Sequence, residues 1–294
     1  MNRFFLLLLV FSASFLSAEN KIIFLISTPR SLSVGFLRMM QARQDFEIFH
    51  EPTNAPYDAI HYKEFYEENF REDCFRSFDE ITETIFEKAK DSNVFVKEVV
   101  FSFQEFLTSD HPLLEAADFV FLVRKPQDVI LSFYRKGVPP SILHELVGHE
   151  QILKVFDFVT AHAKKSPYLL FSEDLGESPW EEIPLFCKHV GIPFKPESLS
   201  WEDLGSEFTG LQWRDGKKAE AVHYWHGDAI RSSCFAALKT EEVDEEGSPT
   251  FAEIENEEDR AICLKAYFSA LPHYQALKEK WEALCTQNDL KGCL

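Results

Sequence analysis

A short run of cationic and hydroxyl residues, Thr28-Pro29-Arg30-Ser31-Leu32-Ser33, follows directly on the unbroken apolar stretch Ile22 to Ile26 and leads into a helical pattern. A buried strand that delivers the chain to a turn at a helix start leaves backbone N–H groups unpaired. Those groups and the helix dipole favour a bound phosphate or sulfate. Arg30 adds a planar cation with two-pronged reach, and Ser31 and Ser33 add hydroxyl donors. An ordinary strand-to-helix turn with a serine cap carries the same local signature, so this segment alone does not decide. A second junction, DFVFLVRKPQDVILSFYR from Asp118 to Arg135, repeats the strand-to-helix theme. Arg124 falls where the strand ends, at the carboxyl edge where open α/β sheets bind ligands. Ser132 follows about two turns inside the next helix.

Other constellations are weaker. His50 and Glu51 close a short strand ahead of Pro52, and Lys97 and Glu98 lie on a further strand. His50 is chemically suited to proton transfer near neutral pH. The nucleotide loop G-x-x-x-x-G-K-[ST] is missing, and Gly210 to Lys218 imitates it with the wrong spacing and no hydroxyl. His144 and His149 are five apart, which puts them on different sides of a helix and excludes a shared zinc. His223 and His226 have metal-compatible spacing but no further ligands nearby in sequence, so no metal is expected. Aromatic stretches at Phe101–Phe106 and Trp213–Trp225 suit either an apolar pocket or the core.

Elements that would position these residues are legible as alternating strands and helices. Strands are expected at Lys21–Ile26, Phe46–Phe49, Val94–Val100, Asp118–Val123 and Tyr168–Phe171. Helices are expected at Leu32–Arg43, Asp58–Asn69, Asp79–Lys90, Pro126–Arg135 and Ser141–Lys165, with two more at Asp259–Ala270 and Tyr274–Gln287. That alternation implies an α/β fold with a parallel sheet between layers of helices. Residues 240–259 carry ten acids and no base, as a solvated loop or linker would.

Composition bounds the function. With 294 residues, 45% hydrophobic and 27% charged, the chain is neither disordered nor a bundle of membrane spans. A net charge of −19 argues against nucleic acid and against long polyanions as partners. Any anion bound here must be held by a few concentrated cations. Met1 to Ala18 has a basic start, an apolar run and a small-residue end, the pattern of a secretory signal cleaved after Ala18. Residues 19–294 then form a single domain, exported to a periplasm, the medium or a secretory compartment. Left uncleaved, the segment would tether the chain to a membrane. Six cysteines suit an oxidising compartment, with Cys285 and Cys293 the most local pair, and they suit buried thiols equally well.

Taken together, TPRSLSVGFLRMM from Thr28 and RKPQDVILSFYR from Arg124 resemble the sulfotransferase superfamily. Further likeness lies in DFEIFHEP, VFVKEV and FCKHVGIPFKPESLSWEDLG, so the resemblance spans about residues 22–238. It implies a P-loop-like, three-layer fold and 3′-phosphoadenosine 5′-phosphosulfate as donor. Arg30, Ser31 and Ser33 map onto the family's 5′-phosphosulfate loop. Arg124 and Ser132 map onto the residues that hold the 3′-phosphate. Lys97 matches the family's third-strand lysine, but Val99 stands where cytosolic members have a general-base histidine. The resemblance favours Glu51 as the base, while placement and chemistry keep His50 as the alternative and Glu98 in reserve. The acceptor is then a small or membrane-proximal hydroxyl compound. Leu32 replaces the loop's glycine and Val34 one of its hydroxyls. Three readings follow: sulfuryl transfer, nucleotide or phosphate binding without transfer, and a secreted interaction protein on the same scaffold.

Overall fold

The computed structural model describes residues 20–287, Asp215 excepted. The expected signal at 1–18 and Cys293, the expected partner of Cys285, lie outside the described residues. Five strands form one parallel sheet: β1 (Ile22–Ser27), β2 (Phe46–His50), β3 (Asn93–Val99), β4 (Asp118–Val123) and β5 (Tyr168–Phe171), in the order β2-β3-β1-β4-β5. Every residue of β1 and β4 is buried. Burial on both faces explains why these strands read as continuous apolar runs rather than alternating ones.

Helices connect and flank the strands. They are α1 (Ser33–Ala42), α2 (Asn54–His61), α3 (Lys63–Asn69), α4 (Phe78–Ala89), α5 (Val100–Phe106), α6 (Leu113–Ala116), α7 (Pro126–Arg135), α8 (Leu143–Leu146), α9 (His149–His162), α10 (Ser172–Glu177), α11 (Pro179–Val190), α12 (Ala219–Ile230) and α13 (Glu257–Gln287). The architecture is the expected α/β one, a central parallel sheet flanked by helices. From β1 the chain builds β2 and β3 on one side, then crosses to β4 and β5 on the other. The carboxyl end of β1 therefore lies at the switch point where such sheets open a crevice.

Most helix ends obey local rules. Ser77 accepts the Glu80 N–H at 3.2 Å while Glu80 Oε2 accepts the Arg76 N–H at 2.8 Å, which pins the start of α4 in the manner of a capping box. α7 opens on Pro126 and α11 ends at Gly191 with φ 71. α1 follows a non-glycine residue in the left-handed region, Leu32 at φ 63, and like most helices here it receives no side-chain cap.

Four expectations need correction. The helical segment 58–69 is two helices, broken at Tyr62 (φ −138, ψ 57), and the first begins earlier, at Asn54. The long helix expected over 141–165 is a 3-10 turn, α8 and α9, interrupted at Gly148 with φ 76. A Cβ on Gly148 would stand 3.2 Å from Phe101 and Val100, so both conformation and space call for glycine. The two expected C-terminal helices are one, α13, which runs through Pro272. Proline removes one hydrogen bond at a cost of about 3 kcal/mol. Burial on both sides offsets it: Cys263, Ala266, Tyr267 and Ala270 join one apolar cluster, and Tyr274, Leu277, Trp281 and Cys285 join the main core. The acidic stretch is not free in solvent either. Phe251 and Ile254 are fully buried, and Glu253 pairs with Arg135 and Lys239.

Cys74, Cys187, Cys234 and Cys263 are free thiols, whereas Cys285 is disulfide-bonded. Among the described residues no helix is long and apolar enough to cross a membrane.

Candidate active site

The loop after β1 holds two L-residues in the left-handed region, Arg30 at φ 60 and Leu32 at φ 63. That conformation costs roughly 1–2 kcal/mol each. Leu32 thus keeps the backbone that a glycine would adopt most readily, and its Cδ1 lies 3.4 Å from where a Cβ on Gly176 would stand. Ser31 Oγ donates to the Thr28 carbonyl at 2.6 Å and tightens the turn. Ser33, Val34 and Gly35, whose N–H groups open α1 without intrahelical partners or a side-chain cap, all line the cavity.

The second junction is bonded to the first. Thr28 Oγ1 accepts the Arg124 N–H at 3.3 Å, Arg124 Nη1 donates to the Arg30 carbonyl at 2.9 Å, and Nη2 donates to the Lys239 carbonyl at 3.1 Å. In return Arg30 Nε donates to Ser132 Oγ at 3.0 Å and Nη1 to the Trp225 carbonyl at 2.8 Å. Arg124 Nε is buried without a partner, as is Asp128 Oδ2, while Asp128 Oδ1 accepts the Glu241 N–H at 2.6 Å. Burial lowers the pKa of Arg124, against the opposing pull of Asp128 and Glu173. Behind it, burial pushes His149 down to about 4, so this neutral ring contacts the Arg124 carbonyl at 2.7 Å.

β3 supplies the third part. Lys97 pairs with Leu25 of β1 on one side and His50 of β2 on the other. Glu51, at the end of β2, has φ 48 and donates its N–H to the Lys97 carbonyl at 2.7 Å. Its carboxylate is fully engaged. Oε1 contacts Lys97 Nζ, and Oε2 accepts from Lys217 Nζ and Asn54 Nδ2, each at 2.7 Å. Burial alone would raise the Glu51 pKa, but Lys217 and Lys97, with His50 and His226, hold it well below the usual carboxylate range.

One cavity of about 540 Å³ gathers Arg30, Ser31, Ser33, Glu51, Lys97, Arg124 and Ser132. His50 is not in its wall. It is fully buried behind Glu51, its ring 4.8 Å from that of His226 and 5.3 Å from that of Trp213. Glu98 neighbours Lys97 on the strand and so projects to the opposite face of the sheet.

Sequence reasoning missed three wall residues. Lys217 falls within the segment set aside as a false nucleotide loop. It reaches Glu51 because an isolated antiparallel bridge ties it to Phe70. Asp58 also lines the cavity, and burial, against Lys217 and reinforced by Glu51, pushes it up to about 6. His226 is the third, its Nε2 buried without a hydrogen bond. Of the aromatic stretches, Trp225 lines the cavity, whereas Phe103, Phe106 and Trp213 pack in the core.

Ligand atoms of His50, Glu51 and His226 lie within 4.8 Å of one another, close enough to share a metal ion. Two ammonium groups already occupy the Glu51 oxygens, and a divalent cation would have to displace them. As paired here, this trio does not fit a metal.

A parallel sheet whose first strand feeds an uncapped helix start, with a second cationic junction beside it, defines an α/β protein with a cationic crevice at the carboxyl edge of its sheet. Residues 21–280 match the family model described as "Sulfotransferase domain", and the chain belongs to that family. Among solved structures it is similar to the sulfotransferase domain from the curacin biosynthetic pathway, at 16% identity over 84% of this chain and 97% of that one, with a TM-score of 0.42. It is also similar to the sulfotransferase domain from the Synechococcus PCC 7002 olefin synthase, at 15% identity over 85% and 96%, with a TM-score of 0.39. Among curated proteins nothing matches the chain.

Proposed function

We propose that this protein transfers a sulfuryl group from 3′-phosphoadenosine 5′-phosphosulfate to a hydroxyl acceptor. The observation that carries this reading is the bonded pair of junctions: Arg30 reaches Ser132, Arg124 reaches Arg30, and all three open into one cavity. Arg124, with an unsatisfied buried Nε, and Ser132 would hold the 3′-phosphate. The free N–H groups of α1, Ser31, Ser33 and Arg30 would hold the phosphosulfate.

In the reaction, the acceptor oxygen forms a bond to sulfur as the bond from sulfur to the bridging phosphate oxygen breaks. The leaving nucleotide phosphate takes the electron pair. Lys97 and Lys217 would stabilise the spread charge, which is where most of the catalysis in such displacements arises. Glu51 is too tightly paired to serve as the base expected of it, and His50 is shielded from the cavity. Among the described residues no hydrogen bond or close ion pair holds the Asp58 carboxyl group, and its pKa is near 6, so it is the group best tuned to take the acceptor's proton. No step of this scheme calls on a metal. Phe65, Phe133, Trp225 and Phe235 give the cavity an apolar wall suited to a neutral or cationic acceptor, small or membrane-proximal. Export through residues 1–18 would require the donor to be supplied in the same compartment.

Thermal stability of the purified full-length protein tests the donor. The product 3′-phosphoadenosine 5′-phosphate should raise Tm well beyond AMP or ATP, and Arg124→Ala should abolish the difference. Equal shifts for all three nucleotides would sink the reading. Transfer of labelled sulfate to a hydroxyl acceptor then separates an active enzyme from a binding protein.

A further inference from the structure

The face of the sheet opposite Lys97 carries a hydrogen-bonded chain that returns to the cavity. Glu98 is fully buried there. Its Oε1 accepts the Thr53 N–H at 3.1 Å, and its Oε2 lies 2.8 Å from Thr53 Oγ1. Thr53 Oγ1 is also 2.8 Å from Ser102 Oγ, and Ser102 Oγ is 2.6 Å from Asn54 Oδ1. Asn54 Nδ2 then donates to Glu51 Oε2 at 2.7 Å.

Counting protons along this chain fixes its direction. Glu51 is an anion between two ammonium groups, so Asn54 must turn its NH₂ toward it and its carbonyl toward Ser102. A carbonyl accepts only, so the 2.6 Å Ser102–Asn54 contact can be carried by no proton but that of the Ser102 hydroxyl. Thr53 Oγ1 at 2.8 Å could also accept it, but that contact has a second hydroxyl to supply its proton, and the Val99 carbonyl is farther at 3.5 Å. Ser102 Oγ must then receive from Thr53, whose own single proton is thereby spent. The remaining short contact, Thr53 Oγ1 to Glu98 Oε2, has a proton only if Glu98 brings it.

We propose that Glu98 is a neutral carboxylic acid whose proton starts this chain, and that it is a positioning residue. Through Thr53, Ser102 and Asn54 it orients Glu51, and Glu51 fixes the ammonium groups of Lys97 and Lys217. The charged groups facing Glu98 are Glu51, which favours the neutral form, and Lys97, which opposes it. Burial is the largest influence and pushes Glu98 up to about 8, even though the Thr53 bonds pull the other way. The catalytic part of this inference rests on the sulfuryl-transfer reading. The protonation part does not.

Glu98→Gln is the deciding variant, because its amide oxygen accepts from Thr53 N–H and its NH₂ donates to Thr53 Oγ1 at every pH. Infrared difference spectra of the full-length wild type minus Glu98→Gln at pH 7 should show the carbonyl band of one protonated carboxyl group. Wild-type stability should fall as pH rises from the ordinary value of 4.5 to about 8, because the folded state binds the extra proton, and Glu98→Gln should lack that part of the slope. An ionised carboxylate band at pH 7, or identical slopes, would overturn the proposal whether or not any transfer is detected. With an active enzyme, Glu98→Gln should keep kcat within about threefold and lose the wild type's alkaline decline. Ser102→Ala, which breaks the chain without touching Glu98, should lower kcat by about 100-fold with the donor KM unchanged. A Ser102→Ala enzyme with wild-type kcat would refute the positioning role.

Discussion

Arg124 Nη1 donates to the main-chain carbonyl of Arg30 at 2.9 Å, so the cation of the second junction buttresses a left-handed residue of the first. The two junctions are one bonded unit rather than two neighbouring ones. Arg124→Lys keeps the charge but cannot span the Arg30 and Lys239 carbonyls with one planar fork. We expect affinity for 3′-phosphoadenosine 5′-phosphate to fall about 10- to 100-fold, the worth of one or two charge-assisted hydrogen bonds. Titration calorimetry would read this, and wild-type affinity would show that charge alone suffices.

Leu32 occupies a backbone state that disfavours any side chain, and more so a β-branched one. Leu32→Gly should fold and bind nucleotide like the wild type, with strain relief and lost packing against Gly176 nearly cancelling. Leu32→Ile should lose about 2 kcal/mol of stability in denaturant titrations.

Lys217 is one of two ammonium groups on a buried carboxylate. Removing it leaves Glu51 with Lys97 and Asn54, so the loss should fall below that of a fully stranded buried charge, about 3–5 kcal/mol. Lys217→Met should show that loss, and adding Glu51→Gln should recover part of it. A fully additive double mutant would mean the pair is not coupled.

Asp58 must be ionised to accept a proton. Its pKa near 6 places an acid limb there, with kcat/KM rising as pH climbs through that value. Asp58→Asn should cost about 100-fold or more in kcat, abolish the limb and leave nucleotide binding intact. An unchanged pH profile would move the base role elsewhere.

Stability should also respond to acid through Glu51. Its folded pKa lies well below the ordinary 4.5, so the stabilisation it contributes is full above that value and is lost as pH falls below it. Glu51→Gln should flatten the acid side of the stability curve.

The sheet and the two junctions were legible because their signals are local: unbroken apolar runs in β1 and β4, and Arg30 and Arg124 at strand ends. Asp58 was not, since it lies on a half-exposed helix and only tertiary burial shifts its pKa. Lys217 was hidden for a different reason. Its meaning depends on the bridge to Phe70, far away in the chain, and no short motif encodes that pairing. The continuity of α13 was masked by Pro272, whose local penalty is outweighed by contacts with two apolar clusters. His50 illustrates the opposite failure. A residue of the right type at the right sheet edge turned out to be walled off by Glu51.

α13 has a consequence for the order in which the molecule can assemble. The apolar cluster beneath α7 joins Val129, Ile130 and Phe133 to Phe251, Ile254, Cys263 and Tyr267, partners more than a hundred residues apart. On a ribosome, the helix that carries Asp128 and Ser132 emerges long before the segment that buries its underside. Such distant pairings are slow to form. The sheet can therefore close while the underside of α7 still waits, and the last helix synthesised among the described elements is the one that covers it.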